Sequence, residues 1–380
     1  MLRAENFNAK YPIKPLGEVV DFLDNLRKPI KASDRIGGEY PYYGANGLQG
    51  FINDFIFDEP LVLLAEDGGH FGNPEKTIAY IAEGKYWVNN HAHVLKPKDG
   101  LDLKFLCRVL ENYDVSPFIK GATRAKLTKG DAFTIPIPFP SFAEQKRIAA
   151  ILDKADRLHR KNQQAIQLSD QFLRSLFMDL FGDPVTNPKG WEVKPICKIA
   201  IVKTGNTPSR AESEYYGDYI EWIKSDNINT PHHILTTASE YLSKEGYEVG
   251  RKVSEGATLI TCIAGSFNCI GNIAFADREV CFNQQINALI PMTVKPWFLY
   301  ALILFSKKKI QAASTNAMKG MVSKGVLEKI EVICPPEDLQ IKFEKIFENQ
   351  REIMVQTEKS RQLADNAFFA LSQKAFAGEL

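Results

Sequence analysis

The chain has 380 residues, which is too long for one ordinary domain and indicates about two. Hydrophobic residues make up 44% and charged residues 24% of the sequence, as in globular proteins, which excludes a disordered or collagen-like chain. The 47 basic residues nearly balance the 46 acidic ones, so the net charge alone does not indicate a nucleic-acid-binding protein.

The first 140 residues combine β-rich runs with turns and a helical segment. Leu61–Ala65 precedes an acidic and glycine-rich stretch, which predicts a strand that ends in a turn. Residues 77–86 alternate apolar and polar side chains around a turn at Gly84, and residues 89–95 predict another strand. Residues 103–110 predict a helix, so this part of the chain is interpreted as an α+β domain.

Residues 141–181 contain neither proline nor glycine and predict one long helix. Ser141 and Glu144 form an S-x-x-E capping box at its start, and Gly182 suits the position after its last turn. At 1.5 Å per residue such a helix is about 60 Å long. A domain of this size cannot bury a helix of that length, so we expect the helix to protrude and to pair with a second one.

The second half of the chain predicts the same kinds of secondary structure as the first half. In residues 183–335, the run Thr258–Ala264 before Gly265 predicts a strand, and residues 298–305 predict a helix. Residues 336–380 predict a second long helix. The second half is therefore also interpreted as an α+β domain followed by a helix.

The two halves are related by an internal repeat. Leu127–Gly130 resembles Val322–Gly325 at an offset of 195 residues, and the same offset relates residues 167–170 to residues 362–365. The starts of the two halves correspond at an offset of 180 residues, so the second half is longer in its middle. A repeat of this length indicates duplicated domains with a pseudo-twofold relation, because solenoid repeats are only about 20–50 residues long.

The two predicted helices carry matched heptad stripes that are apolar at both ends and more polar in the centre. We therefore expect an antiparallel two-helix coiled coil, because antiparallel pairing brings the apolar ends together. His159 and Asn162 would then face Thr357 and Arg361 and set the register. The alternative is that each helix packs only on its own domain.

Basic, amide and aromatic side chains cluster at several points. Lys120, Arg124, Lys126 and Lys129 fall within ten residues that contain no acid, and the matched stretch carries further lysines. Lysine and arginine suit phosphates, whereas asparagine, glutamine and arginine can pair with base edges. For the basic segment we favour DNA binding over an ordinary surface loop. For the tyrosine pairs alone, a half-buried position in a β domain is the better interpretation.

Signals for catalysis or metal binding are weak. His91 and His93 could share one strand face, but no third ligand lies near them in sequence. Pro74-Glu75 with Glu83-Gly84-Lys85 only loosely resembles a Mg²⁺-dependent nuclease pattern. The chain lacks both glycine-rich phosphate motifs and the Asn/Asp-Pro-Pro-aromatic tetrapeptide of amino-methyltransferases. Without an apolar run of signal-peptide or membrane length, we expect a cytoplasmic protein that does not bind a membrane.

Several motifs together resemble the specificity subunit of type I restriction-modification systems. Residues 42–47, Tyr-Tyr-Gly-Ala-Asn-Gly, are similar to the tyrosine-glycine motif of that family, and residues 89–95 to its strand after the central hairpin. Residues 205–209 with Tyr215 and Tyr216 resemble the opening of its second domain. The stretch that leads from residues 135–138 into residues 144–149 resembles the start of the conserved helix of that family. The second copy departs from this pattern, with Leu-Gln-Ile-Lys at 339–342 instead of Glu-Gln-Lys-Arg.

The resemblance implies an α+β protein with two tandem target-recognition domains, separated and joined by two long antiparallel coiled-coil helices. The implied bounds are 1–140 and 183–335 for the domains, and 141–182 and 336–380 for the helices. Each domain would recognise one half of a bipartite, asymmetric site in double-stranded DNA. The helices would set the gap between the halves and dock two modification subunits, and restriction subunits would join them. The chain itself would be non-catalytic and without a cofactor, since S-adenosylmethionine belongs to the modification subunits.

Thirteen residues are the candidates for DNA contact under this interpretation: Tyr42, Tyr43, Asn46, Lys120, Arg124, Lys126, Lys129, Arg210, Tyr215, Tyr216, Asn227, Lys319 and Lys324. Two other classes of function stay open from the residues alone. One is a self-contained Mg²⁺-dependent nuclease or DNA methyltransferase, and the other is a coiled-coil adaptor that does not bind DNA.

Overall fold

The computed structural model describes residues 2–379 except 4, 6, 8–10, 74, 75, 112, 121–124, 231 and 315–319. The chain divides into two compact units, of which the first comprises Met1–Arg160 and Gln362–Leu380 and the second comprises Lys161–Arg361. Both divisions fall inside a long helix, so each unit contains one α+β module and part of each helix. The domain bounds at residues 140, 182 and 335 stay a prediction.

The first unit is built around a four-stranded antiparallel sheet in the order β2-β8-β5-β6, beside a three-stranded sheet in the order β4-β3-β7. Strands β3 and β7 run parallel, and β1 pairs with β9. Its elements are β1 Ile13–Pro15, α1 Leu16–Val19, β2 Val20–Phe22, β3 Tyr40–Gly44, β4 Gly47–Ile52, β5 Leu61–Ala65, β6 Ala79–Ala82, β7 Trp87–Val88, β8 Ala92–Pro97, α2 Leu103–Leu110, α3 Lys129–Phe133, β9 Pro136–Pro138 and the first half of α4 Phe142–Phe181.

The expected strand at Leu61–Ala65 and helix at residues 103–110 are confirmed in the first unit. Two expectations need correction. The strand predicted at residues 89–95 begins only at Ala92, because residues 89–91 form a turn. Gly84 does adopt the left-handed conformation of a turn, with φ 73°, but β6 and β7 on either side of it belong to different sheets.

The second unit has the corresponding four-stranded antiparallel sheet in the order β11-β20-β16-β18, beside a five-stranded sheet in the order β12-β14-β13-β19-β15. In the five-stranded sheet, β13 and β19 are parallel, as β3 and β7 are in the first unit. The elements are β10 Val193–Pro195, β11 Ala200–Thr204, β12 Tyr216–Gly217, β13 Ile220–Ile223, β14 Tyr241–Leu242, α5 Lys244–Val249, β15 Lys252–Val253, β16 Thr258–Thr261, β17 Ile263–Ala264, β18 Ile273–Phe275, β19 Val280–Phe282, β20 Ile286–Pro291, α6 Pro296–Phe305, α7 Lys307–Ala312, β21 Gly320–Met321, α8 Lys324–Lys329, β22 Glu331–Ile333 and the first part of α9 Glu337–Ala377.

The strand predicted at residues 258–264 is divided at Cys262, so that β16 lies in the four-stranded sheet and β17 pairs with β21. The helix predicted at residues 298–305 is confirmed as part of α6. The two modules thus share a sheet plan, and the repeat detected in the sequence is a repeat of structure.

The long helix α4 has the predicted glycine after its last turn and one half of the predicted capping box, since the Glu144 carboxylate pairs with Arg147 at 2.9 Å. The backbone N–H of Glu144 donates to the Ser141 hydroxyl oxygen at 3.3 Å, and the N–H of Gly182 donates to the Met178 carbonyl at 2.9 Å. Gly182 has φ 76°, a conformation that other residues adopt only with strain. The absence of proline and glycine between these caps allows forty helical residues without a break.

The helices pair in antiparallel fashion within each unit, as predicted. In the first unit, His159 on α4 contacts Asp365 on α9, and Ile148 is buried together with Phe376. In the second unit, the Asn162 side chain donates to Ser360 at 3.1 Å, and the Phe177 ring lies 5.6 Å from the Phe343 ring.

The predicted partners of the central polar residues are wrong in detail. His159 and Asn162 contact Asp365 and Ser360 instead of Thr357 and Arg361. Thr357 donates to the Ile353 carbonyl, and Arg361 pairs with Glu358, so both bond within their own helix.

The apolar ends of both helices belong to the cores of the modules, so each helix also packs on a module, as the alternative interpretation expected. In the first unit, Ile148 and Leu152 are buried in one cluster with Phe105 of α2. In the second unit, Phe177 and Phe181 are buried in one cluster with Phe298 of α6. Pairing between helices and packing on the modules therefore occur together. Within the described chain, every helix is too short or too polar to cross a lipid bilayer.

Candidate nucleic-acid interface

An equivalent turn follows the parallel strand pair in each module. In the first, the N–H of Asn89 donates to the Tyr43 carbonyl at 3.0 Å, and the N–H of His91 donates to the Asn89 side chain at 2.8 Å. In the second, the N–H of Asn283 donates to the Ile223 carbonyl at 3.0 Å, and the N–H of Gln285 donates to the Asn283 side chain at 3.0 Å. Each is an Asx turn, in which a buried asparagine fixes the backbone that follows it. We call residues 89–91 and 283–285 the amide turns.

The described part of the basic segment, residues 120 and 125–130, is attached to the first module close to its amide turn. The N–H of Leu127 donates to the Glu66 carbonyl at 2.8 Å, and the Lys126 ammonium lies 3.0 Å from the Glu66 carboxylate. Glu66 in turn donates its own N–H to the His91 carbonyl at 2.9 Å. The end of β5 therefore joins the basic segment to the amide turn.

The described lysines of this segment have partners of their own but keep exposed side chains. Lys120 lies 2.5 Å from the Asp131 carboxylate, yet its side chain is 76% exposed. Lys129 lies over the Phe22 ring at 5.4 Å. Arg124 lies outside the described residues. Since exposed ion pairs are weak, a phosphate could compete for these ammonium groups.

A buried ion network lies beneath the basic segment. His93 is fully buried, with Nδ1 at 2.7 Å from the Asp24 carboxylate and Nε2 at 2.9 Å from the Leu127 carbonyl. A carbonyl and a carboxylate only accept hydrogen bonds, so both ring nitrogens of His93 face acceptors. Burial alone would raise the pKa of Asp24, but hydrogen bonds from His93 and the Val94 N–H, together with the positive charges nearby, outweigh it and keep the pKa of Asp24 below its usual value.

The same network contains the described residues that could hold a metal ion. Asp24, Glu66 and His93 each offer one ligand atom, and these atoms lie within 4.8 Å of one another; His91 is not in this group. The Arg27 guanidinium lies 2.7 Å from Glu66 and 3.4 Å from Asp24, so cations of the protein already occupy these carboxylates. The network serves as an anchor for the basic segment. The absence of a metal in the chain stays a prediction.

Three predicted residues surround the turn between β3 and β4. Asn46 is exposed, and its side chain donates to the Gly68 carbonyl at 2.9 Å, just beyond Glu66. Tyr43 packs against other tyrosine rings at 5.7 Å. Tyr42 is 1% exposed, and its hydroxyl accepts from the Ile30 N–H at 3.2 Å. Asn46 and Lys126 are thus brought near the end of β5, whereas the tyrosines pack inside the module.

In the second module, Arg210 is held in a cluster with aromatic and acidic side chains. Its guanidinium contacts the Glu240 carboxylate and lies 4.3 Å from the Tyr216 ring and 5.0 Å from the Trp222 ring. Lys224 contacts the same carboxylate. Hydrogen bonds from Arg210 and then from Lys224, against the opposing effect of burial, lower the pKa of Glu240 to about 2.

Asn227 adjoins this cluster but is used by the fold. It is 5% exposed, its side-chain oxygen accepts from the Lys224 N–H at 3.0 Å, and its amide donates to the Thr236 hydroxyl at 3.0 Å. A direct contact of Tyr42 or Asn227 with DNA stays a prediction, and it would require these side chains to leave their present partners.

The remaining predicted residues of the second module lie apart from these contacts. The Tyr215 carbonyl accepts from the Ser243 N–H at 3.1 Å, while its side chain is half-buried. Lys324, in the first turn of α8, lies 3.6 Å from Glu328. Lys319 lies outside the described residues.

We expect Glu240→Gln to lower the melting temperature at neutral pH, with an effect that shrinks as the pH falls below 4.5. The carboxyl has a folded pKa of about 2 against an ordinary value of 4.5, so its stabilising contribution is present above pH 4.5 and is lost as the pH falls towards 2. The measurement is the Tm of both proteins between pH 3 and pH 7. Glu255→Gln is the control, because Glu255 is exposed and has no ion pair among the described residues. A gap in Tm that is independent of pH would contradict this assignment.

Comparison with known proteins agrees with the duplicated architecture. The family model described as Type I restriction modification DNA specificity domain matches residues 8–168 and, a second time, residues 188–363. The chain belongs to this family. The resemblance found in the sequence is thereby confirmed, and both halves of this specificity subunit contribute to it.

Curated relatives carry the same family name. The MjaIX type I restriction enzyme specificity subunit of Methanocaldococcus jannaschii is 24% identical, over 90% of this chain and 88% of its own. A relative from Haemophilus influenzae, also named as a type I restriction enzyme specificity subunit, is 44% identical over 37% of this chain. That match spans only 36% of the relative's own length.

A solved structure has the same fold. The S subunit of a type I restriction-modification system from M. genitalium superimposes with a TM-score of 0.69 and 16% identity, over 97% of both chains. The expected fold class, two tandem α+β modules with two long antiparallel helices, is confirmed.

Proposed function

We propose that this specificity subunit is a non-catalytic protein that recognises a bipartite, asymmetric site in double-stranded DNA, one half with each module. The observation that carries this proposal is the pair of amide turns. Two modules with the same framework present different side chains at equivalent positions, namely Asn-Asn-His in one and Asn-Gln-Gln in the other. Equivalent frameworks with different surface residues suit the recognition of two different half-sites.

The charges of the described residues support binding that depends on partner subunits. Lys120, Lys126 and Arg210 are each paired with a carboxylate, so DNA phosphates must compete for them. A chain with a net charge of only +1 gains little from non-specific attraction to DNA. Modification subunits would supply further phosphate contacts.

The proposed assembly comprises this chain, two modification subunits and restriction subunits in the cytoplasm. The modification subunits would bind S-adenosylmethionine and methylate adenine, which requires the target base to be flipped out of the duplex. This chain would supply the sequence specificity and no cofactor. Relatives named as specificity subunits, together with the match of both halves to a DNA specificity family, support this division of labour over a self-contained nuclease or methyltransferase.

The direct test is to produce the full chain with its modification subunit in a host without other adenine methylation and to map the methylated adenines. We expect methylation at one two-part motif whose halves differ. Methylation without a sequence motif would contradict the proposal, as would methyl transfer or Mg²⁺-dependent nicking by the purified chain alone. If the complex shows no salt-dependent binding to duplex DNA, the chain is an adaptor instead.

A further inference from the structure

The two amide turns match in burial at every position. From residue 87 to residue 95 the order is three buried residues, one exposed residue, one half-buried residue and four buried residues. Residues 281–289 have the same order, at an offset of 194. The single exposed position in each stretch is Asn90 in the first module and Gln284 in the second. Both side chains carry a primary amide.

The backbone around each exposed amide is fixed on both sides. Before it, the N–H groups of Asn89 and Asn283 are bonded to the neighbouring parallel strands, and after it the Asx hydrogen bonds close the turns. The carbonyls of the next residues also accept backbone hydrogen bonds, from Glu66 at 2.9 Å in the first module and from Cys262 at 2.8 Å in the second. A side chain presented by such a frame loses little entropy when it binds.

The surroundings of Asn90 suit a nucleotide. The turn borders an open depression of about 490 Å³. Lys31, Arg35 and Gln49 also line it. Lys31 is exposed and could contact a phosphate, while the Asn90 amide has no hydrogen-bond partner among the described residues.

Gln284 has a comparable setting in the second module. Its side-chain oxygen accepts from the Thr207 hydroxyl, which holds the amide in place at the surface. Thr207 follows Asn206, whose N–H donates to the Phe282 carbonyl at 3.0 Å at the end of β19. The residues before β12 and the amide turn therefore form one surface, which also lies beside Trp222 because the indole N–H donates to the Asn206 carbonyl at 3.2 Å.

We propose that Asn90 and Gln284 are equivalent specificity-determining residues, each of which contacts an adenine in its own half-site. This inference rests on the proposed function and names the side chains that carry it out. A primary amide offers one donor and one acceptor in a plane, which match N7 and the N6 amino group of adenine in the major groove. The signal was present in the sequence as the aligned runs Asn-Asn-His and Asn-Gln-Gln, but burial was needed to identify the middle residue.

The test uses the full chain with its modification subunit, and compares methylation motifs for the wild type, Asn90→Ala and Gln284→Ala. Asn90→Ala should relax one A·T position in one half of the motif, with a loss of discrimination of about tenfold or more, and leave the other half intact. Gln284→Ala should do the same only in the other half. Each variant is thus the control for the other, and Asn53→Ala, another exposed amide of the first module, should leave the motif unchanged.

A second pair of variants, Asn90→Asp and Gln284→Glu, keeps the size of each side chain but replaces its donors with acceptors. We expect both to lose methylation at the wild-type motif in the affected half, because a carboxylate cannot donate to adenine N7. If the wild type has a two-part motif and all four variants keep it, the inference is overturned while the proposed function stands. Equal loss in both halves would also overturn the inference. A wild type without any motif would instead contradict the proposed function.

Discussion

Replacing Phe177 by alanine should destabilise the second unit by about 3–5 kcal/mol. Phe177 is fully buried on α4, where the helix packs simultaneously on α6 and α9. Truncation removes the ring and leaves a cavity that neighbouring helices cannot easily fill, because they are held by their own packing. In the wild-type protein, the centre of the Phe177 ring lies 5.0 Å from that of Phe181, 4.8 Å from that of Phe305, 5.6 Å from that of Phe343 and 6.1 Å from that of Phe298.

Phe172→Ala is the matched control, because this ring is on the same helix but is 48% exposed. The control should change the free energy of unfolding by less than about 1 kcal/mol. Urea unfolding gives the total loss for each variant, and hydrogen exchange shows where it occurs. Faster exchange confined to residues 161–361 is the expected result for Phe177→Ala. Equal losses in the two variants would show that this end of α4 does not belong to the core of the second module.

The long helices were predictable because their signals are local. A capping box at Ser141, a glycine at 182 and the absence of helix breakers between them define α4 without knowledge of its environment. The partners across the pair were not predictable, because register depends on how the apolar ends fit the modules. His159 therefore faces Asp365 instead of the residues aligned with it by the heptad pattern.

The candidate interface was only partly predictable for a different reason. An asparagine or tyrosine beside a turn can face the solvent or the core, and Asn227 and Tyr42 face inwards. The ion network of Asp24, Glu66 and His93 joins residues up to 69 positions apart, so no spacing in the sequence indicates it. The equivalent place in the second module carries Asn287, which accepts a hydrogen bond from Thr204 at 2.6 Å, and the repeat therefore gives no hint of a charged cluster.

Arg108→Met should destabilise the first unit by about 3–5 kcal/mol near pH 8. Arg108 joins α2 to α4, and its side chain is only 12% exposed. The guanidinium lies 2.9 Å from each of three carboxylates, those of Glu111, Asp153 and Asp156. Methionine fills a similar volume without charge, so the loss measures three carboxylates left without their shared cation.

The pH dependence of this loss distinguishes uncompensated charge from poor packing. Burial raises the pKa of Glu111 to about 7, although Arg108 acts in the opposite direction. The pKa of Asp156 lies below its usual value, because hydrogen bonds from Arg108 and Arg160 outweigh its burial. Without Arg108 the folded-state pKa of each carboxyl rises. A raised folded-state pKa gives stability that is present at low pH and is lost as the pH increases, so the deficit of Arg108→Met should shrink between pH 8 and pH 5.

Arg160→Met is the control, since Arg160 pairs with the same Asp156 at 3.0 Å but is 73% exposed, and it should cost no more than about 1 kcal/mol. Urea unfolding of the three proteins at both pH values makes the comparison, and a deficit of equal size at pH 5 and pH 8 would mean that Arg108 contributes by packing alone.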